Sequence, residues 1–355
     1  MGSTCCPFPR WLQLSLRPSR RLSSPGLSGD RSSARHGEAA LDDGPRIVRA
    51  LIYDRSTVGE EFVASAREDG TIRFFDAHTG VPMWQPIRCG QREIWTLAYG
   101  ISAQGENFLA SGGGDGSIRL WDIATGQPIP RILRGHFRSV SCLSLGDLGR
   151  DENVLASGGQ DGTIQLWRPL TGEAIRKPIK AHKWGVSSLS LSSTAVGTNT
   201  PDFGWRRRRL ALLGCRYWRT GCAESLHGFR GSIASIAVAR SAGGRQILAA
   251  ASWDGTVQLW DAESRAPVGE VVSFGHNPVL SVSARSQPNG EIVVAACSVT
   301  EIQIWIMNVD MEITRLDRQI LPGSSMQCIN VLPEALMVGC QDGVFCLSLE
   351  SRFRP

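Results

Sequence analysis

Apolar positions along this chain return with a fixed beat. An apolar-x-x-apolar element recurs at Val48/Leu51, Ile94/Leu97, Val140/Leu143, Val186/Leu189, Ile233/Ile236, Val279/Val282 and Met326/Ile329, with spacings of 46, 46, 46, 47, 46 and 47 residues. Seven copies at so steady an interval define a repeat array before any single motif is weighed. In the well-preserved copies a second apolar run follows, as in Phe108–Ser111, Val154–Ser157 and Ile247–Ala250. Asp-Gly pairs then stand at 69–70, 115–116, 161–162, 254–255 and 342–343. Between two apolar runs this pair predicts a tight hairpin turn, because both residues tolerate positive φ. A third run alternates strictly, as in Ser117-Ile-Arg-Leu-Trp121 and Thr256-Val-Gln-Leu-Trp260, which predicts a strand with two unlike faces. The fourth segment carries proline, as in Gln127–Leu133, and so predicts the outer strand of each sheet. Four strands per repeat with no helical period predict an all-β array of antiparallel sheets.

Composition narrows the picture. The chain has 355 residues, of which 42% are hydrophobic, too many for a mostly disordered chain. No apolar run approaches the roughly 18 residues that a transmembrane helix needs. The first residues lack the continuous apolar core of a secretory signal. Ten cysteines form no Cys-x-x-Cys pair, and Cys142, Cys297, Cys328, Cys340 and Cys346 fall inside apolar runs. That usage points to buried thiols in a reducing, cytoplasmic setting. The net charge is +5, yet residues 1–45 carry +2 and residues 205–220 carry +6, leaving −3 for the remainder. A mildly acidic bulk disfavours nucleic acid as the partner, and the Arg-rich segments keep it only as an alternative.

The repeated Gly135-His136, Asp161-Gly162 and Trp121-Asp122 or Trp260-Asp261 pairs resemble the WD40 repeat family over about residues 45–350. The Leu-Ala-Ser-Gly-Gly style, with arginine outnumbering lysine 35 to 3, is similar to WD-repeat proteins of GC-rich actinobacteria. There the propeller is often joined to a kinase or NTPase domain, so a regulatory fragment of such a protein is a further alternative. The resemblance implies a seven-bladed β-propeller of four-stranded antiparallel blades, the fourth degenerate, with blade starts near 48, 94, 140, 186, 233, 279 and 326. It also implies a structural tetrad within a blade, which maps in full only onto His136, Ser157, Asp161 and Trp167. Gln91 replaces the His in the second blade; Phe229 and Ala250 replace the polar partners in the fifth. The first blade has Phe75 at the Trp position. These departures predict a less rigid ring.

Two segments break the pattern. Residues 1–36 are rich in Arg, Ser and Pro without periodicity, and disorder is expected there, ahead of a propeller spanning 37–355. Part of 37–43 is a candidate outer strand for the last blade. In 198–224, Arg207-Arg208 stands at the Asp-Gly position and Leu213 at the Trp position, which reads either as a divergent blade or as a frameshifted stretch.

Catalytic chemistry finds little support. Gly112-Gly113-Gly114-Asp115-Gly116 sits in a predicted hairpin, with no helix start to offer a phosphate. The inner strands read Val140-Ser-Cys-Leu-Ser-Leu145 and Ile233-Ala-Ser-Ile-Ala-Val238, predicting a channel without ionisable groups. The expectation is therefore a non-enzyme with no cofactor, no metal and no membrane contact, a monomeric propeller binding a protein or peptide. Its binding residues are expected on the face bearing the Gly-His and Asp-Gly loops, the usual partner face by resemblance: Arg92, Phe137, Arg138, Gln160, Lys183, Trp184, Arg230, Trp253 and Asn277.

Overall fold

A computed structural model of the chain describes residues 47–349, apart from 103–104, 148–152, 182–184, 195–208, 214–228, 230, 242, 263, 265, 309, 311, 321–324, 334 and 342. Among the described residues every regular element is a strand. The first sheet is β1 (Val48–Arg55), β2 (Glu61–Arg67), β3 (Thr71–Asp76) and β4 (Ile87–Arg88); the second is β5 (Ile94–Ile101), β6 (Asn107–Gly113), β7 (Ser117–Asp122) and β8 (Pro128–Arg134). The third is β9 (Val140–Asp147), β10 (Asn153–Gly159), β11 (Thr163–Trp167) and β12 (Ile179–Lys180). β13 (Ser190–Thr194) and β14 (Arg209–Leu213) form a separate pair. Then come β15 (Ile233–Arg240), β16 (Gln246–Ser252), β17 (Thr256–Asp261) and β18 (Pro267–Ser273), followed by β19 (Ser281–Ser286), β20 (Ile292–Cys297), β21 (Glu301–Met307) and β22 (Ile313–Ile320). The last sheet is β23 (Met326–Val331), β24 (Ala335–Cys340) and β25 (Gly343–Ser348). Each sheet is an antiparallel meander in chain order.

The expectation of seven four-stranded blades is corrected. Among the described residues there are six blades, five of four strands and one of three, and the fourth repeat supplies only β13 and β14. The reason lies in that repeat's sequence. Without an Asp-Gly turn to start an alternating third strand, the stretch Arg209–Leu213 lies directly against Ser190–Thr194. The Arg206–Arg208 run, the disorder expected for 1–36 and the strand expected within 37–43 lie outside the described residues.

The core lies between blades rather than within one. Middle strands such as β6 and β10 are buried on both faces, and their side chains enter the two neighbouring gaps alternately. Phe62, Ile72 and Phe74 of the first blade meet Ile94, Leu109 and Trp121 of the second. Ala110, Ile118 and Leu120 of the second meet Val140, Leu155 and Trp167 of the third. Close approach explains the glycines at the ends of middle strands. A Cβ on Gly112 would stand 2.8 Å from Val140 Cγ1, and a Cβ on Gly339 would stand 2.8 Å from Val48 Cγ1. The joint between the last sheet and the first therefore repeats the joint between the second and third.

The inner strands β1, β5, β9, β13, β15, β19 and β23 line up as a ring, each beside the next. Their small polar residues stitch neighbour to neighbour. Thr96 Oγ1 accepts from Leu143 N at 3.1 Å, Ser144 Oγ from Leu191 N at 2.9 Å, and Ser188 Oγ from Ile236 N at 3.1 Å. Ser235 Oγ accepts from Val282 N at 3.2 Å, and Ser283 Oγ from Val331 N at 3.1 Å. Asn330 Nδ2 donates to Leu51 O at 3.3 Å and closes the circle. Such bonds are worth about 1 kcal/mol each. Leu191 of β13 and Ser188 just before it carry the stitches to either neighbour, so the ring continues past the reduced fourth repeat.

Candidate functional site

The face that carries the Asp-Gly turns is built from the turns outward. In each of four blades the turn aspartate caps the start of the next strand through one oxygen, Oδ1. It takes Thr71 N and Oγ1 at Asp69, Ser117 N and Oγ at Asp115, Thr163 N and Oγ1 at Asp161, and Thr256 N and Oγ1 at Asp254. The following glycine has positive φ, +78° at Gly116. A Cβ there would also lie 2.6 Å from His136 O, because the turn of one blade presses on the loop entering the next.

In the third blade the turn is braced from behind. Trp167 Nε1 donates to Ser157 Oγ at 2.9 Å, Ser157 Oγ meets His136 Nε2 at 2.8 Å, and His136 Nδ1 lies 3.0 Å from Asp161 Oδ2. The carboxylate can only accept, so Nδ1 carries the proton. Burial pushes the Asp161 carboxyl upward, but bonds from Thr163 and the His136 ring outweigh it and hold the group below the usual carboxylate range.

Other blades, numbered by the repeat that supplies them, solve the same problem differently. Gln91 replaces the histidine in the second: its Oε1 accepts from Ser111 Oγ at 2.8 Å, its Nε2 donates to Ser117 O at 2.8 Å, and Trp121 Nε1 donates to Ser111 Oγ at 3.0 Å. In the fifth, Phe229 packs edge-on against Trp260 at 5.5 Å. In the sixth, Ala296 occupies the serine position, and Trp305 Nε1 is buried with no acceptor among the described residues. Glu301 there is buried, receives Gln303 Nε2 at 2.6 Å, and forms a two-pronged pair with Arg318 at 2.6 and 2.9 Å. In the first, Phe75 leaves Ser65 Oγ buried without a partner among the described residues.

Loops and turns then alternate around this face under backbone restraint. Gln160 N donates to Ser139 O at 2.9 Å, Trp253 N to Ser232 O at 2.9 Å, and Phe137 N to Asp161 Oδ2 at 3.2 Å. On this pinned backbone two aromatic side chains stand out, Phe137 at 77% exposure and Trp253 at 50%. Arg92, Arg138, Gln160 and Asn277 are exposed beside the same loops and turns. Lys183, Trp184 and Arg230 lie outside the described residues.

The sequence matches the family described as WD domain, G-beta repeat, at residues 84–122, 127–168 and 221–261. Those stretches end on Asp122, Arg168 and Asp261, each just past the strand tryptophan of a blade described above. The chain carries WD40 repeats. Its structure is similar to the RRP9 WD40 repeats, with 18% identity, 85% of this chain and 89% of that chain covered, and a TM-score of 0.61. It is also similar to the WD40 β-propeller domain of Doa1, with 21% identity, 86% and 94% covered, and a TM-score of 0.60. The computationally designed Ika8 protein matches at 20% identity, 87% and 98% covered, and a TM-score of 0.53. At these identities the likeness is one of fold. No curated protein matches the sequence. WD40 propellers typically serve as protein-interaction scaffolds and are generally non-catalytic.

The inner strands are less uniform than β9 and β15 alone suggested. β1 carries Arg49, Tyr53 and Asp54, and β19 carries Arg285. Arg49 stacks over Trp95 of β5 at 4.8 Å and pairs with Glu68 at 3.2 Å, while Arg285 lies over Tyr53 at 4.9 Å. Burial raises the Asp54 carboxyl above its ordinary range. The serine-rich β9, β13 and β15 suggested an unreactive channel, but β1 and β19 do not share their composition, and the serines proved to be stitches. Among the described residues, no three His, Cys, Asp or Glu side chains converge to hold a metal. Cys89, Cys142, Cys297, Cys328, Cys340 and Cys346 are buried, and burial pushes the Cys328 and Cys346 thiols up to about 12. Among the described residues, no helix is long and apolar enough to cross a membrane.

Proposed function

We propose that this chain is a non-catalytic scaffold that binds a protein or peptide partner on the face carrying the Gly-His and Asp-Gly loops. The observation that carries the reading is Phe137, an apolar ring 77% exposed on a backbone held by Asp161. A rigid, exposed aromatic loses little conformational entropy on binding, which is why such side chains dominate interface energetics. Trp253 gives a second aromatic on the same face, and Arg92, Arg138, Gln160 and Asn277 supply polar contacts between them. Lys183, Trp184 and Arg230 belong to the same proposed surface by their place in the repeat. The unit acts as a monomeric propeller in a reducing cytoplasm, a setting supported by its buried thiols.

Affinity capture from native lysate with the full chain tests this reading, against a Phe137→Ala/Arg138→Ala/Trp253→Ala variant of equal thermal stability. The expected result is a captured protein that the variant loses. Identical captured sets for the two folded proteins would overturn the choice of face.

A further inference from the structure

The outer wall of the disc opens between the first and second blades. In the second blade Ile132 of β8 pairs with Arg119 of β7. The matching position in the first blade is Pro86, one residue before the Ile87–Ile72 pair, and proline has no N–H for the ladder. The chain stays bonded to β3 as far as Met83, whose N donates to Phe74 O at 2.9 Å, then leaves the ladder over Trp84–Pro86, and β4 is reduced to Ile87–Arg88. The third blade has Pro178 at the same register position and the same two-residue outer strand, Ile179–Lys180.

Beside this stretch lies a groove of about 520 Å³ lined by Trp84 and Pro86 of the first blade and Gly126 and Pro128 of the second, with the Trp84 ring against Gly126, where a Cβ would stand 3.2 Å from Trp84 Cγ. Its charged lining residues are Arg88 and Arg119; no Asp or Glu lines it. Arg119 is poorly served by its own protein. Its Nη2 reaches Gly90 O at a long 3.4 Å, Asp115 Oδ2 stands 4.0 Å away, and Nε is buried with no acceptor among the described residues. Gly90, at φ +63°, lets the guanidinium lie against the backbone, since a Cβ there would stand 3.0 Å from Nη1. A guanidinium held this way and short of acceptors favours a carboxylate, which it can meet with two parallel hydrogen bonds. Trp84 and the rings of Pro86 and Pro128 add apolar lining beside the arginines.

We propose that this lateral groove binds an extended segment of a partner protein, with an Asp or Glu side chain on Arg88 and Arg119 and apolar neighbours against Trp84, Pro86 and Pro128. This is a second surface, independent of the face that bears Phe137. The test is selection of a phage-displayed random dodecapeptide library on the full chain. Enriched peptides are then measured by fluorescence polarisation against wild type, Arg119→Gln, Arg88→Glu and Phe137→Ala/Trp253→Ala. The expected peptides carry Asp or Glu between apolar residues. They lose at least tenfold in affinity with Arg119→Gln and with Arg88→Glu, and keep their affinity for the Phe137→Ala/Trp253→Ala variant. Arg88 is exposed, so its variant keeps the test decisive if Arg119→Gln unfolds. Peptides without an acidic preference, or wild-type affinity retained by the arginine variants, would overturn the proposal.

Discussion

The third and sixth blades share one topology and are held by different chemistry. In the third, a buried chain of donors runs from Trp167 through Ser157 and His136 to Asp161. In the sixth, Trp305 sits among apolar side chains with no acceptor among the described residues, and the polar work has moved outward to Glu301 and Arg318. The blade survives without the chain because its neighbours close on it from both sides. Val294 and Ala296 pack towards the fifth blade, and Ile302 and Ile304 towards the last. The polar chain is one way to fix a turn on a frame that interblade burial already holds.

That view can be broken most directly at Ser157. Replacing it with alanine leaves both Trp167 Nε1 and His136 Nε2 without a partner, and should cost about 3 kcal/mol in urea unfolding. The same change at Ser65, whose hydroxyl has no partner among the described residues, should cost close to nothing. Equal losses at the two sites would mean that serine packing, not the hydrogen-bonded chain, is what matters.

The second contrast is with pH. Asp161 is held below the ordinary carboxylate range when folded, so its contribution is present above about pH 4 and is lost as pH falls through the lowered value. Asp161→Asn should therefore lower stability at pH 7 by more than at pH 3, narrowing the difference between the two conditions in thermal unfolding. A constant penalty across that window would sever the link between this carboxylate and acid sensitivity.

The smallest effect sharpens the comparison from the other side. Ala296→Ser would offer Trp305 Nε1 the acceptor it lacks, and a gain of about 0.5–1 kcal/mol is expected by chemical denaturation. A loss would show that the sixth blade's packing has no room for the older solution.

How far the sequence could be read follows from what each residue answers to. Asp-Gly turns and the alternation of β7 or β17 respond to local backbone geometry, so they were visible in isolation. The apolar-x-x-apolar beat located the inner strands for the same reason. The fourth repeat was not legible as a two-stranded sheet, because its length is right and only the pairing of Arg209–Leu213 with Ser190–Thr194 shows it among the described residues. Gln91 was noticed as a departure, yet only its contacts with Ser111 and Ser117 show that an amide can replace an imidazole. The inner-strand serines read as inert lining in isolation; their partners lie 47 or 48 residues away, about one repeat, and that recurrence was the available signal. On the candidate face, Phe137 and Trp253 stood out by residue type alone. Arg119 did not, since its significance depends on the groove beside it.

One notch, the glycine at the end of a middle strand that receives a valine from the next sheet, recurs where the last sheet meets the first. Gly339 admits Val48 as Gly112 admits Val140. The ring thus has no privileged seam at its centre. The order in which the chain visits the blades is a matter of history, and the disc itself would accept a different starting point.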